Sequence, residues 1–236
     1  GLHAHHPPRP RAEQRAVPPP DRVRRRHRRV LRGSLRSLPR APAAVERYAA
    51  LAVSDPSQQK ERSHARIVRA ASRLFRKQGY RGTSVDTLMQ GAGLTRGGFY
   101  AHFESKSALL RTALRDAFAE ARANLFERGL DGLSGDAWLA RAAARYLTLA
   151  HREQPERGCA IPTLAAEVAR EDDETRRAFE REVGSLLAVF VTRLGGDPAE
   201  ARVRAIRHLA GWEGALSLAR AVHDEELARE ILDACR

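Results

Sequence analysis

Cysteine is scarce in this chain: Cys159 and Cys235 are the only two in 236 residues. Two thiols are too few for a disulfide framework or a four-ligand zinc site, so any core must come from apolar burial. Long apolar runs are missing as well, and none approaches the ~20 residues that a helix needs to cross a bilayer. The first residues, Gly-Leu-His-Ala-His-His-Pro-Pro, lack the hydrophobic segment of a secretory signal. The expectation is therefore a cytoplasmic protein with no membrane partner. There is no strand pattern, no internal repeat and no Gly-rich phosphate loop of the dinucleotide type. No His, Cys or carboxylate set stands at catalytic or metal-ligand spacing. No catalytic residue, metal or cofactor is expected, and the chain does not read as an enzyme. An isolated cysteine among apolar residues, as Cys159 is, fits a small buried hydrophobe more readily than a redox sensor.

What the chain has is helical periodicity and an uneven charge. Its net charge is +13, with 42% hydrophobic residues, enough to bury a core of one or two compact domains. Residues 58–111 carry 11 Lys and Arg against 3 Asp and Glu, whereas residues 112–236 carry 18 against 22. A basic segment joined to a mildly acidic half is what a protein needs when only one part must neutralise phosphates. Residues 1–57 hold nine of the twelve prolines and the run Arg22-Val-Arg-Arg-Arg-His-Arg-Arg29. Such a segment has little to bury and reads as disordered. Its arginines either add nonspecific affinity for DNA or contribute nothing.

The folded part begins near Ser57 or Lys60. Ile67, Ala71, Leu74 and Phe75 define a first helix over about 60–78 that Gly79 stops. Val85, Leu88, Met89 and Ala92 then fall at i, i+3, i+4 and i+7, one buried face of a short helix with Thr83 or Ser84 as its N-cap. Gly91-Ala92-Gly93 provides a tight reversal. After it, Leu94, Phe99 and Phe103 face inward, and Thr95, Arg96, Gly97, Gly98, Tyr100 and His102 remain for the outside. Two short helices about a glycine turn read as a DNA-binding helix-turn-helix. Gly97 and Gly98 weaken the second helix by roughly 1 kcal/mol each relative to alanine, so either close approach of a partner or packing against the neighbouring helix must account for them.

The stretch Gly93-Leu-Thr-Arg-Gly-Gly-Phe-Tyr-Ala-His-Phe-Glu-Ser-Lys-Ser-Ala-Leu-Leu110 resembles the signature of the TetR/AcrR family of bacterial transcriptional regulators. The likeness covers about residues 60–111. Beyond them it is one of helical layout, with a weaker local likeness at Arg157-Gly-Cys-Ala-Ile-Pro-Thr-Leu-Ala-Ala-Glu167. The resemblance implies an all-α chain: a three-helix DNA-binding domain over 58–105, then a connector helix from Lys106 and a larger helical bundle for ligand binding and dimerisation over 106–236. Thr95, Arg96 and Gly97 would open the recognition helix. Arg96 is the candidate for a base contact, because a guanidinium engages guanine O6 and N7 together. Gly98 lies on the same surface, Tyr100 and His102 would reach phosphates or sugars, and Thr83, Ser84 and Lys106 would hold the flanking backbone.

The C-terminal segments 136–152, 160–170, 173–194, 198–221 and 224–235 all have helical character, and Pro198 after Asp197 suits a first turn. The family resemblance implies a homodimer built by the last long helices, reading a palindromic operator in double-stranded DNA as two half-sites. It also implies a repressor released when a small-molecule effector, not identified by the sequence, binds among the C-terminal helices. Trp138, Tyr146, Cys159, Phe179, Phe190, His208 and Trp212 are the candidate pocket residues, with ordinary core packing as the competing reading of each. Leu186, Leu187, Val189, Phe190, Leu209, Trp212, Leu216 and Leu218 supply both a core and an interface, undivided. An architectural DNA-binding protein without an effector is the alternative.

Overall fold

A computed structural model describes residues 55–236 of the chain, which form one compact unit; the disordered segment expected over 1–57 lies almost wholly outside the described residues. Two of its residues prove helical. The Asp55 carboxylate accepts from the Ser57 N–H at 3.0 Å and Pro56 occupies the first turn, so helix α1 runs Pro56–Gln78 and begins earlier than the apolar pattern indicates. The reason is local: proline lacks the N–H that a first turn would leave unpaired, and its φ is already helical.

Helix α2 (Val85–Gly91) is capped by Ser84, which accepts from the Thr87 N–H at 3.1 Å. Gly93 closes the turn at φ +64°, a conformation that would strain any side chain. The recognition element that follows is a 3₁₀ helix, Arg96–Ala101, rather than an α-helix. Its paired glycines give it low helical propensity, and Phe99 and Phe103, buried beside α1 and α2, hold it in place. Ser105 then caps helix α3 (Lys106–Ala121) by accepting from the Ala108 N–H at 3.0 Å.

The connector helix expected from Lys106 changes pitch at its end. After α3 comes one π-helical stretch, Arg122–Glu127, closed by Arg128 N–H donating to Ala123 O at 2.9 Å. The remaining helices are α4 (Gly135–Tyr146), α5 (Leu149–Glu153), α6 (Ile161–Val168), α7 (Asp173–Leu194), α8 (Pro198–Ala221) and α9 (Glu225–Ala234). The single helix expected over 136–152 is thus two, because Thr148 caps a new start by accepting from the His151 N–H. No strand occurs among the described residues.

A continuous apolar core runs from Ile67 and Phe75 in α1, through Leu110 and Leu114 in α3, to Phe190 and Trp212 in α7 and α8. Charged side chains also lie inside it, Arg76 foremost. Arg76 is fully buried: its Nε donates to Ser72 O at 3.0 Å, Nη1 to Gly158 O at 2.8 Å, and Nη2 to the Glu120 carboxylate and Ser72 Oγ. A single guanidinium therefore ties α1 to α3 and to the corner before α6. Removing the guanidinium leaves the buried Gly158 carbonyl and the half-exposed Glu120 without their partner, so Arg76→Met is expected to cost about 3 kcal/mol of unfolding free energy in urea titration. Arg96→Ala, at an exposed ion pair, should stay within about 0.5 kcal/mol in the same assay.

Candidate nucleic-acid interface and the buried C-terminal cluster

The 3₁₀ helix presents one face outward. Thr95 is exposed and its side chain makes no cap bond, while the Arg96 side chain is 74% exposed and Tyr100 is 72% exposed. Arg96 Nη1 donates to Asp86 Oδ2 at 3.1 Å, so a carboxylate in the first turn of α2 orients the guanidinium across the glycine turn. Asp86 escapes a reading by apolar spacing because it sits on the solvent side of α2. The Tyr100 ring stands edge-on to Phe99 at 5.2 Å, which fixes its base and leaves its hydroxyl end free.

The glycine pair has no packing role. A Cβ at Gly97 would meet nothing within 4 Å, and one at Gly98 would meet only Met89 Cε, at an ordinary 3.6 Å. Of the two explanations open from sequence, crowding within the chain is removed, and close approach by a partner remains.

Four of the expected DNA-facing residues sit differently from Arg96 and Tyr100. Thr83 is fully buried and its hydroxyl donates to Gly79 O at 2.7 Å, so it braces the loop between α1 and α2 and has no free O–H to donate to a phosphate. Its assignment to the DNA-facing set is corrected by this burial. Lys106 does open α3, but its ammonium lies 4.3 Å from the centre of the Tyr80 ring and near Glu167 and Glu171, at the junction with α6. Burial lowers its pKa, against the opposing pull of those two carboxylates. His102 is half-buried, its ring 6.1 Å from that of His64, and its Nδ1 is enclosed without a hydrogen-bond partner. Burial and the neighbouring His64 and Lys60 lower its pKa. Ser84 is exposed, with its oxygen engaged in the cap.

The C-terminal candidates converge more than their spacing suggests. Trp138 stands edge-on to Phe190 at 4.9 Å, Phe190 lies 5.6 Å from Trp212, and Tyr146 stacks on Trp212 at 5.8 Å. His208 lies at the edge of this group, 6.0 Å from Trp212. Phe179 does not belong to it: half-buried on α7, it packs edge-on against Phe118 of α3. Trp138, Tyr146, Cys159, Phe190 and Trp212 are each at most 1% exposed and fill the core ring against ring.

At the centre of this packing is a carboxylate absent from the sequence candidates. Glu213 Oε1 accepts from the Tyr146 hydroxyl at 2.6 Å and from the Cys159 thiol at 3.1 Å, and Oε2 is buried with no partner. The Cys159 N–H donates to His151 Nε2 at 3.0 Å, and His151 Nδ1 bonds the Tyr146 carbonyl. Burial and the nearby Glu213 push the Cys159 thiol up, so it is a protonated donor rather than a reactive thiolate. A glutamate in the middle of an apolar helix face reads from sequence as a surface residue; only its environment reveals it.

No helix of the described residues is long and apolar enough to cross a membrane, and none of their His, Cys, Asp and Glu side chains group as metal ligands. Residues 67–113 match a family described as bacterial regulatory proteins, tetR family. The chain is 42% identical over 48 residues to a Bacillus subtilis (strain 168) protein named as an uncharacterised HTH-type transcriptional regulator, YerO, covering 20% of this chain and 17% of that one. It is 38% identical over 78 residues to a probable HTH-type transcriptional regulator, ArpR, of Pseudomonas putida, covering 31% of this chain and 37% of that one. The matched stretches thus span well under half of either relative. A TetR transcriptional regulator from Chloroflexus aurantiacus J-10-FL superposes over 75% of this chain and 94% of its own, with TM-score 0.61 and 25% identity.

The buried cluster sets a pH response. Burial pushes the Glu213 carboxyl up to about 7 from 4.5, against the opposing hydrogen bonds of Tyr146 and Cys159 and the charge of Arg220. Its contribution to stability is full below pH 4.5 and is lost as pH rises through 7. His151 is pushed down to about 4 from 6.5 by burial, so its contribution is present above pH 6.5 and is lost as pH falls through 4. The two oppose each other in the intervening range. Relative to the parent chain, Glu213→Gln is expected to gain about 2–3 kcal/mol of stability between pH 5 and pH 8, read from urea denaturation at both values. An equal effect at both would show that Glu213 does not titrate in this window.

Proposed function

We propose that this chain, a member of the bacterial tetR family, is a DNA-binding transcriptional regulator acting as a homodimeric repressor that a small molecule releases from its operator. The observation that carries DNA reading is the exposed face Thr95-Arg96-Gly97-Tyr100 on a turn held rigidly by Phe99 and Phe103, with a glycine pair that nothing within the chain requires. A short backbone with little side-chain bulk lets a groove wall approach closely, while Arg96 reaches base edges and Tyr100 the sugar-phosphate chain. Thr95, with an unengaged hydroxyl, completes the set.

Dimerisation is supported by an apolar stripe on α8. Val203, Ile206 and Leu218 are 45–58% exposed, and Gly214 among them has no neighbour within 4 Å. Glycine inside a helix costs about 1 kcal/mol relative to alanine, and a close-packed partner helix accounts for it. Leu186, Leu187, Leu209 and Leu216, by contrast, belong to the core. A two-fold pair of recognition turns then reads half-sites about one helical turn apart.

Ligand control is supported by the way α6 touches the DNA-binding part. The Glu167 carboxylate accepts from the backbone N–H of Tyr80 and, at 3.1 Å, of Arg81, so movement of α6 is felt in the loop that leads into α2. A ligand that favours one position of α6 shifts DNA affinity by the same factor that DNA shifts ligand affinity.

Selection from a random DNA pool is expected to recover a palindrome, and Arg96→Ala to weaken that site about 10–100-fold at constant salt. Gly97→Ala should leave thermal stability unchanged or raised while weakening the same site. Recovery of no preferred sequence would identify an architectural DNA-binding protein instead. Ile206→Arg is expected to convert the dimer to a monomer in sedimentation, with loss of the palindrome; a parent chain that is monomeric at micromolar concentration would overturn the mechanism.

A further inference from the structure

Glu213 makes no direct ion pair among the described residues, although the charge of Arg220 acts on it. The Arg220 guanidinium donates instead to the His151 carbonyl at 2.9 Å and to Thr163 Oγ1 at 3.4 Å. Oε1 is shared by two neutral donors and Oε2 has none, although the residue is only 8% exposed. A carboxylate removed from water normally finds a cation or a full set of hydrogen bonds. Around this one stand electron-rich rings instead: Tyr146, whose hydroxyl it holds, stacks between Phe126 at 5.9 Å and Trp212 at 5.8 Å, with Phe190 beyond. A negative group with an open acceptor beside stacked aromatic faces suits a flat cation bearing N–H donors, by charge, hydrogen bonding and cation–π attraction at once.

We propose that Glu213 is the anchor of the effector site and that the effector is an aromatic organic cation with an N–H donor, such as an amidinium or guanidinium. This inference rests on the reading of the chain as a ligand-released repressor. The rings close the site in the unliganded chain, so the cation takes space by moving what is packed there.

The piece best connected to move is the Gly158–Cys159 corner. Three elements grip it: Arg76 of α1 at the Gly158 carbonyl, His151 at the Cys159 N–H, and Glu213 at the Cys159 thiol. There is no slack, since a Cβ at Gly158 would fall 2.1 Å from His151 Nε2. Helix α6 begins two residues later, and at its far end Glu167 holds the Tyr80–Arg81 loop. A cation that draws Glu213 from the thiol therefore loosens a corner bonded directly to the DNA-binding part. Arg76 and Glu167 are positioning residues in this scheme, and Glu213 is the ligand contact.

Trp138 and Trp212 are the chain's only two tryptophans, and both belong to this cluster, so intrinsic fluorescence reports its occupancy. The full chain is titrated with benzamidine, phenylguanidine and, as the anion of matching shape, benzoate. The expected result is saturable quenching by at least one of the two cations, none by benzoate, and at least a tenfold loss of cation affinity in Glu213→Gln. Equal response to benzoate, no response to either cation, or unchanged affinity in Glu213→Gln overturns the inference. The preference between cation and anion in the parent chain keeps the test decisive if the variant folds poorly. Release of pool-selected DNA is measured in parallel: a chain that selects a palindrome but ignores the cations fails here alone, whereas one that selects no sequence fails as a regulator whatever its fluorescence shows.

Discussion

The buried guanidinium of Arg76 is the constraint on which the rest of the arrangement depends. An arginine at 0% exposure must satisfy its donors inside the protein, and it does so on three separate pieces of chain: its own helix, Glu120 of α3 and the Gly158 carbonyl. Planar, forked and permanently charged, it allows little drift in any of them. The helices of the helix-turn-helix are therefore not beads on a linker. They share a core with α3 and hang from the same hydrogen bonds as the corner before α6.

Two polar clusters divide the work between the ends of α6. At one end, Glu167 gathers the backbone N–H groups of Tyr80 and Arg81, with Lys106 beside it on the Tyr80 ring. At the other, Cys159 reaches Glu213 and His151. An eight-residue helix, α6, joins them. The recognition turn itself has little internal freedom, because Phe99 and Phe103 are buried beneath it. Its position follows α1 and α2, which is why contacts far from Arg96 bear on what Arg96 can reach.

Much of the layout was legible in order along the chain. Val85, Leu88 and Met89 marked α2, Ser105 marked the start of α3, and Asp197-Pro198 the start of α8, all as the structure has them. These signals are local: an apolar period, a capping oxygen, a proline whose missing N–H costs nothing in a first turn. The 3₁₀ form of the recognition element and the π-helical end of the connector were not legible, since each is a compromise between weak propensity and distant packing. Among site residues, the outward setting of Arg96 and Tyr100 followed from period alone. Thr83 did not, because burial of its hydroxyl under the Gly79 carbonyl depends on how the loop folds back.

The sequence by itself determined that this is a helical protein with a basic helix-turn-helix segment, its glycine turn and its aromatic anchors. Those features are written in residues close together, and local physics suffices to read them. Only the tertiary structure decided that Arg76 is an interior strut and Glu167 a loop clamp, that Phe179 stands apart from the other aromatics, and that Glu213 lies buried among them. Each of these turns on how much water a charged or aromatic group has lost, and that is set by partners 44 to 87 positions away in the chain.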